Sequence, residues 1–283
     1  RTVVTARMLV MGYLSVGGTP SWCVTILATY PQVAFLENCS TNGYSRASHK
    51  EGVSTVDFAA DSVRQQTVLV TGFGPFGRHT RNPSADLALA LDGSVVAGAS
   101  VVARIFETST ETVAANLAQA LDELTPSLLI CLGLAPGRPA LSLERVAVNV
   151  RDFPLPDHSG AVVVDEPVLS DGPAAIFSGL PVKAILQEWQ RESVPGHVSN
   201  TAGTYLCNQL FYLACAQGLD RNIPAGFVHI PDTPESAAAS LGAGAEPGPT
   251  MGIQTMVTAL KSAIATCLQD DGAKVVLGAG RMA

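Results

Sequence analysis

From Thr67 onward, short apolar runs alternate with longer amphipathic stretches. TVLVTGF (67–73) is apolar and rich in β-branched residues, as expected of a buried strand, and SVVARIF (100–106), SLLICLG (127–133) and AGFVHIP (225–231) are predicted as further strands. Residues 141–150 (LSLERVAVNV) alternate, with Leu141, Leu143, Val146, Val148 and Val150 apolar, the period of a half-buried strand. NPSADLALALDG (82–93) predicts a helix, with Asn82 as N-cap, Pro83 at the first position and Gly93 at the stop. ETVAANLAQALDEL (111–124) places Val113, Leu117, Ala120, Leu121 and Leu124 on one helical face. Three further helices are predicted over VKAILQEWQ (182–190), TYLCNQLFYLACAQG (204–218, with Gly218 as its stop) and GIQTMVTALKSAIATCLQ (252–269). Strands alternating with helices predict an α/β fold, a three-layer α/β/α sandwich with a twisted, mostly parallel central sheet.

Residues 1–66 carry no sustained period of 3.6 or 2, and the stretch 39–51 (CSTNGYSRASHKE) is polar. They are expected to form a poorly ordered leader, with residues 67–283 as one catalytic domain. A signal-peptide reading rests on Arg1, Arg7 and the apolar run from Met8; Gly12, Ser15 and Gly17 interrupt that run and no clean cleavage site follows. Asn38-Cys39-Ser40 fits a glycosylation acceptor, relevant only to a secreted chain.

Composition narrows the class. Hydrophobic residues are 47% and charged residues 14% of 283, against about 25% charged in an ordinary domain. With mean hydropathy +0.28, the chain is not of the disordered type. A net charge of −7 is the wrong footprint for nucleic-acid binding. No run approaches the length of a membrane span. The six cysteines, at 23, 39, 131, 207, 215 and 267, include no CxxC pair. This argues against a zinc site and for reduced thiols in a cytoplasmic protein.

GFGPFG (72–77) matches G-x-G-x-x-G after a strand, which opens a dinucleotide-binding oxidoreductase reading. In that motif the helix starts within the glycine loop, so its amides face the pyrophosphate. Here the helix signal starts only at Pro83, and Phe73 and Phe76 suggest either a hydrophobic pocket or core packing. Cys207 falls in the first turn of the helix predicted after Ala202-Gly203, where unsatisfied N–H groups and the macrodipole favour a thiolate. It also shares a stripe with Phe211 and Cys215, so a buried structural cysteine is the competing reading. Cys215, Cys131 and Cys267 read as core. His229, near the end of an apolar strand, is either a base or a satisfied core histidine. Glu144 is either the group that orients it or half of a surface pair with Arg145.

These segments together resemble the pyroglutamyl peptidase I (pyrrolidone-carboxylate peptidase) family of cysteine peptidases. GFGPFG with NPS (72–84) is similar to that family's N-terminal pocket motif, GLAPGRPALSLERVAVN (133–149) to its glutamate signature, SNTAGTYLCN (199–208) to its cysteine signature and AGFVHIP (225–231) to its histidine strand. The likeness spans roughly 67–278 in order and leaves residues 1–66 without counterpart. It implies a Glu144–Cys207–His229 triad, a pyrrolidone ring held by Phe73 and Phe76 with Tyr205 and Leu206 beside it, N-terminally pyroglutamylated peptides as substrates, no metal or cofactor, and a possible homo-oligomer. The chain departs from the family at Gly74, where many members carry Glu; at Leu134, where many carry Gln; and at Pro154, where many carry Arg. Pro154 motivates an alternative, a catalytically impaired homologue that binds blocked peptides, with Arg151 as a substitute for the missing Arg.

Overall fold

The computed structural model describes residues 7–11, 23–27, 66–76, 81–242, 244, 246 and 248–280. The chain separates into two units, Arg1–Val63 and Arg64–Ala283. In the first, β1 (Arg7–Met11) pairs antiparallel with β2 (Cys23–Leu27). The expected leader otherwise lies outside the described residues, as do Asn38, Cys39, His49 and His79.

The second unit holds β3 (Thr67–Phe73), α1 (Pro83–Leu91), β4 (Val95–Val96), β5 (Ala99–Phe106), α2 (Val113–Leu124), β6 (Leu128–Leu134), β7 (Leu141–Glu144), β8 (Val146–Val148), β9 (Ala175–Phe177), α3 (Val182–Arg191), β10 (Gly196–Ser199), α4 (Leu206–Arg221), β11 (Ala225–Ile230), α5 (Pro234–Gly242) and α6 (Ile253–Gln269). Seven strands form one sheet in the order β10-β7-β11-β6-β3-β5-β4. β11, β6, β3 and β5 run parallel, and β7 pairs antiparallel with β11 and parallel with β10. β3, β6 and β11 are buried on both faces, which explains their apolar runs, whereas β5 alternates buried and partly exposed positions.

Each face of the sheet carries its own core. One joins Val68, Ile130, Leu143 and Val228 to Leu87 of α1, Trp189 of α3 and Leu260 of α6. The other joins Leu69, Cys131 and Phe227 to Leu117 of α2 and Phe211 of α4. This is the predicted three-layer sandwich. Among the described residues no helix is long and apolar enough to cross a membrane.

Two local expectations change. The alternating stretch 141–150 is not one strand. It leaves the main sheet at Arg145, whose N–H donates to the Ser199 carbonyl (2.8 Å), and continues as β8 in a ribbon with β9. Gly218 does not stop α4. The helix runs on to Arg221 and ends at Asn222, which takes the left-handed conformation with φ 55°. Gly218 is needed for close packing, because a Cβ there would lie 2.6 Å from the Ile223 carbonyl oxygen and 2.8 Å from the Ala225 Cβ.

Candidate active site

The glycine-rich loop is closed by its own chain. α1 begins at Pro83, and Asn82 caps it by accepting from the Ser84 N–H (3.0 Å). The Asn82 amide donates back to the Gly74 carbonyl (3.0 Å), and Ser84 Oγ accepts from the Phe73 N–H (3.0 Å). Gly72 permits this approach, since a Cβ there would sit 2.4 Å from the Ser84 carbonyl oxygen. The helix N-terminus thus caps on Asn82 and Ser84 and closes on the strand end, the opposite of a dinucleotide-binding turn.

The sheet register brings the carboxylate and imidazole together. His229 of β11 lies opposite Ser142 of β7, and Phe227 lies opposite Glu144. Glu144 and His229 are therefore diagonal neighbours on one face, within side-chain reach, although 85 residues separate them in sequence. His229 Nδ1 bonds Glu144 Oε1 at 2.8 Å. That leaves Nε2 as the free ring nitrogen, and Cys207 lies close enough to act on the charge of the imidazole. Phe227 packs edge-on against the imidazole at 4.9 Å. Glu144 is fully buried and His229 is 4% exposed, so the pair sits in a medium of low dielectric where a bare charge is costly.

Cys207 is the second residue of α4 and only partly buried, unlike Phe211 and Cys215 on the same stripe. Its helix start carries no side-chain cap, so first-turn amides remain available to an anion. Gly133 makes room for the sulfur. A Cβ on Gly133 would stand 2.9 Å from Cys207 Sγ and 2.7 Å from the Phe227 ring. Gly133→Ala is expected to displace the thiol and to destabilise the fold by about 1–3 kcal/mol through overpacking. Iodoacetamide labelling rate and thermal midpoint together check this.

The titration states follow from the same geometry. Burial alone would lower the His229 pKa, but neighbouring Cys207, followed by the bond and charge of Glu144, raises it from 6.5 to about 9. Burial pushes Glu144 upward, and the His229 bond and charge with Ser199 and Arg138 outweigh that and hold it below the ordinary range. Burial takes Cys131 and Cys215 up to about 12. Those two are inert core thiols, as expected.

The aromatic residues divide. Phe76 and Tyr205 stack at 5.8 Å, and Phe153 meets Tyr205 edge-on at 4.7 Å. Phe73 is 3% exposed. It lies in the core cluster with Phe153, against which Tyr205 packs, and is not a surface of its own. Phe153 is missing from the sequence reading, as is Arg138, whose Nη1 donates to Glu144 Oε1 at 2.8 Å. Arg151 is engaged elsewhere, with Glu166 (2.9 Å) and Thr110 Oγ1 (3.2 Å).

A thiol at a helix start, an imidazole beside it and a buried carboxylate behind have the chemistry that a base-activated nucleophile needs. The family model for pyroglutamyl peptidase matches residues 66–270. The chain belongs to the pyroglutamyl peptidase family. Pyrrolidone-carboxylate peptidase 2 of Photorhabdus laumondii subsp. laumondii is 40% identical over 211 residues, covering 73% of this chain and 93% of that protein. The pyrrolidone-carboxylate peptidase of Pyrococcus furiosus is 38% identical over 205 residues, covering 72% and 98%. A crystal structure of the Pyrococcus furiosus pyrrolidone carboxyl peptidase superposes with TM-score 0.69 at 38% identity, over 72% of this chain and 99% of that one. Membership of this family, with the helix start at Pro83, overturns the oxidoreductase reading.

Proposed function

We propose that the chain is a cysteine exopeptidase that removes N-terminal pyroglutamyl residues from peptides, with Cys207 as nucleophile, His229 as acid and base, and Glu144 as the group that orients the imidazole. The observation that carries this reading is the series of contacts from Cys207 through His229 to Glu144 in a pyroglutamyl peptidase fold. His229 holds the Cys207 proton as imidazolium. The thiolate attacks the pyroglutamyl carbonyl carbon, and the first-turn amides of α4 receive the oxyanion; losing one such donor typically costs about 3 kcal/mol. The tetrahedral species collapses, the C–N bond breaks and His229 gives its proton to the departing amine. Water, deprotonated by His229, then cleaves the thioester, releasing pyroglutamate and restoring the thiolate beside the imidazolium.

The substrate suits the wall formed by Phe76 and Tyr205, with Phe73 buried beneath. The lactam nitrogen is neutral, so its ring enters an aromatic site without burying a charge. A free N-terminal Glu or Gln would bring an ammonium and a large desolvation cost. Proline lacks the lactam carbonyl and would leave a hydrogen-bonding group of the site unpaired. Phe76→Ala is expected to raise KM for a pyroglutamyl amide about tenfold by removing ring contact. The alkylation rate of Cys207 should stay the same, and steady-state kinetics with iodoacetamide labelling check both.

The decisive experiment is release of a chromogenic amine from its pyroglutamyl amide, with the prolyl and glutaminyl amides beside it. Turnover of the first alone, lost on alkylation of Cys207, supports the reading; turnover that survives complete alkylation overturns it. Cytoplasmic location and N-terminally blocked peptides as partners belong to the same reading.

A further inference from the structure

We propose that Arg138 is a positioning residue for this reaction: its guanidinium, bound to the same Glu144 oxygen as His229, keeps the carboxylate ionised and aimed at the imidazole. The inference rests on the Cys207–His229–Glu144 reading above. Three observations carry it.

The first is the shared acceptor. Arg138 Nη1 and His229 Nδ1 each reach Glu144 Oε1 at 2.8 Å. One oxygen therefore receives both donors, and the plane of the carboxylate is fixed from two sides. Oε2 has no partner in strict hydrogen-bond geometry. The Ser199 hydroxyl across the register also favours the anion, but its proton is given to the Thr201 carbonyl at 3.0 Å.

The second is how Arg138 is delivered. The chain leaves β6 and turns, the Arg138 N–H donating to the Ala135 carbonyl (3.2 Å), with Gly137 at φ +85°. That conformation suits glycine. The turn folds the side chain back over the end of β7, where Glu144 is fully buried. A buried carboxylate without a cation would take up a proton. A protonated Glu144 cannot stabilise the imidazolium that forms during the reaction.

The third is access. Arg138 also lines a cavity of about 510 Å³ with Gln190, His197 and Leu186. Its side chain is 30% exposed there while Glu144 is 0% exposed. The guanidinium thus spans from open space to a closed site. The other ionisable groups near Glu144 are accounted for. Cys207 acts through His229, His197 of β10 bonds Ser142 at 3.3 Å, and Arg145 reaches away to the Ala279 carbonyl at 3.4 Å.

The test uses the full-length protein and the pyroglutamyl amide. Arg138→Ala is expected to lower kcat by about 10–100-fold, the range for partners that orient a reacting group from behind, with KM little changed. The acid limb of kcat/KM should move to higher pH, because desolvation of Glu144 is then less opposed and the carboxylate is protonated earlier. Arg138→Lys should return the acid limb toward its original place. Guanidinium ion at millimolar concentration, admitted through the cavity, should restore part of the lost kcat in Arg138→Ala but none in Arg138→Ala/Glu144→Gln, with potassium chloride at equal ionic strength as control. Wild-type kcat and pH profile in Arg138→Ala overturn the proposal. So does a loss of kcat with an unmoved acid limb and no response to guanidinium, which is what a purely structural arginine would give. If Arg138→Ala does not fold, Arg138→Gln and Arg138→Lys carry the same pH comparison. Cys207→Ala separates the two levels: its activity tests the peptidase reading alone, whatever Arg138 does.

Discussion

Cys207→Ser abolishes release of amine from a pyroglutamyl amide, with kcat falling about 10,000-fold or more, as in other enzymes stripped of their nucleophile. The reason is chemical more than geometric. At the start of α4 Cys207 is partly exposed and lies beside a ring held protonated well past neutrality. A serine hydroxyl in the same place keeps the shape but not the acidity, and one imidazolium cannot make it an alkoxide. Stability should change by less than about 1 kcal/mol, since the substitution neither opens a cavity nor removes a cap. The same variant should lower the His229 pKa from about 9, because the thiolate is the largest of the influences raising it. Amine release, thermal unfolding and the NMR titration of His229 check the three parts. Full activity in the serine variant would sink the nucleophile assignment.

What the sequence discloses here follows from which forces are local. The strands β3, β6 and β11 announce themselves because a strand buried on both faces needs an unbroken apolar run. α1 is legible because capping is a local affair of Asn82 and Pro83. β10 is four residues long, with two half-buried, too short for any period to register. The break at Arg145 does leave a trace. The apolar positions are odd at Leu141 and Leu143 and even at Val146, Val148 and Val150, a phase slip that one continuous strand cannot carry without turning its face. The pairing of Glu144 with His229 leaves none. It depends on β7 lying antiparallel beside β11, a choice of sheet order that no stretch of either strand encodes. Only the likeness to a whole family brought those two residues together in advance. Arg138 was missed for a related reason, since a lone cation after a glycine turn looks like any exposed arginine until the carboxylate beneath it is located.

Glu144→Gln should cost about 100–10,000-fold in kcat, the upper figure being that of an aspartate-to-asparagine change in a serine-protease triad. The amide faces two donors, the Arg138 guanidinium and His229 Nδ1, both at 2.8 Å from Oε1 in the native site. With its oxygen in the Oε1 place the amide still accepts from both, but as a neutral group it no longer stabilises the imidazolium. In the flipped orientation the amide N–H₂ meets Nδ1 and forces the proton onto Nε2, so the neutral ring has no lone pair for the thiol. The pH profile should change as well. In the wild type the His229 pKa is raised from 6.5 to about 9, so its contribution to stability is complete below 6.5 and fades as pH rises through about 9. The alkaline limb of kcat/KM should fall in that region, where the imidazolium is lost. Glu144→Gln removes both the charge and the bond that help raise the value, so the limb should move to lower pH, and the thermal midpoint should fade earlier on the way from neutral to alkaline pH. Glu144 itself is held below the ordinary carboxylate range, and its contribution is present above that range and lost as pH falls through the folded value. The variant should therefore also be less sensitive to acid than the wild type. Kinetics and thermal unfolding across the pH range, run on both proteins, measure these shifts. An alkaline limb at the same pH in both would show that the buried carboxylate does not act on the imidazole.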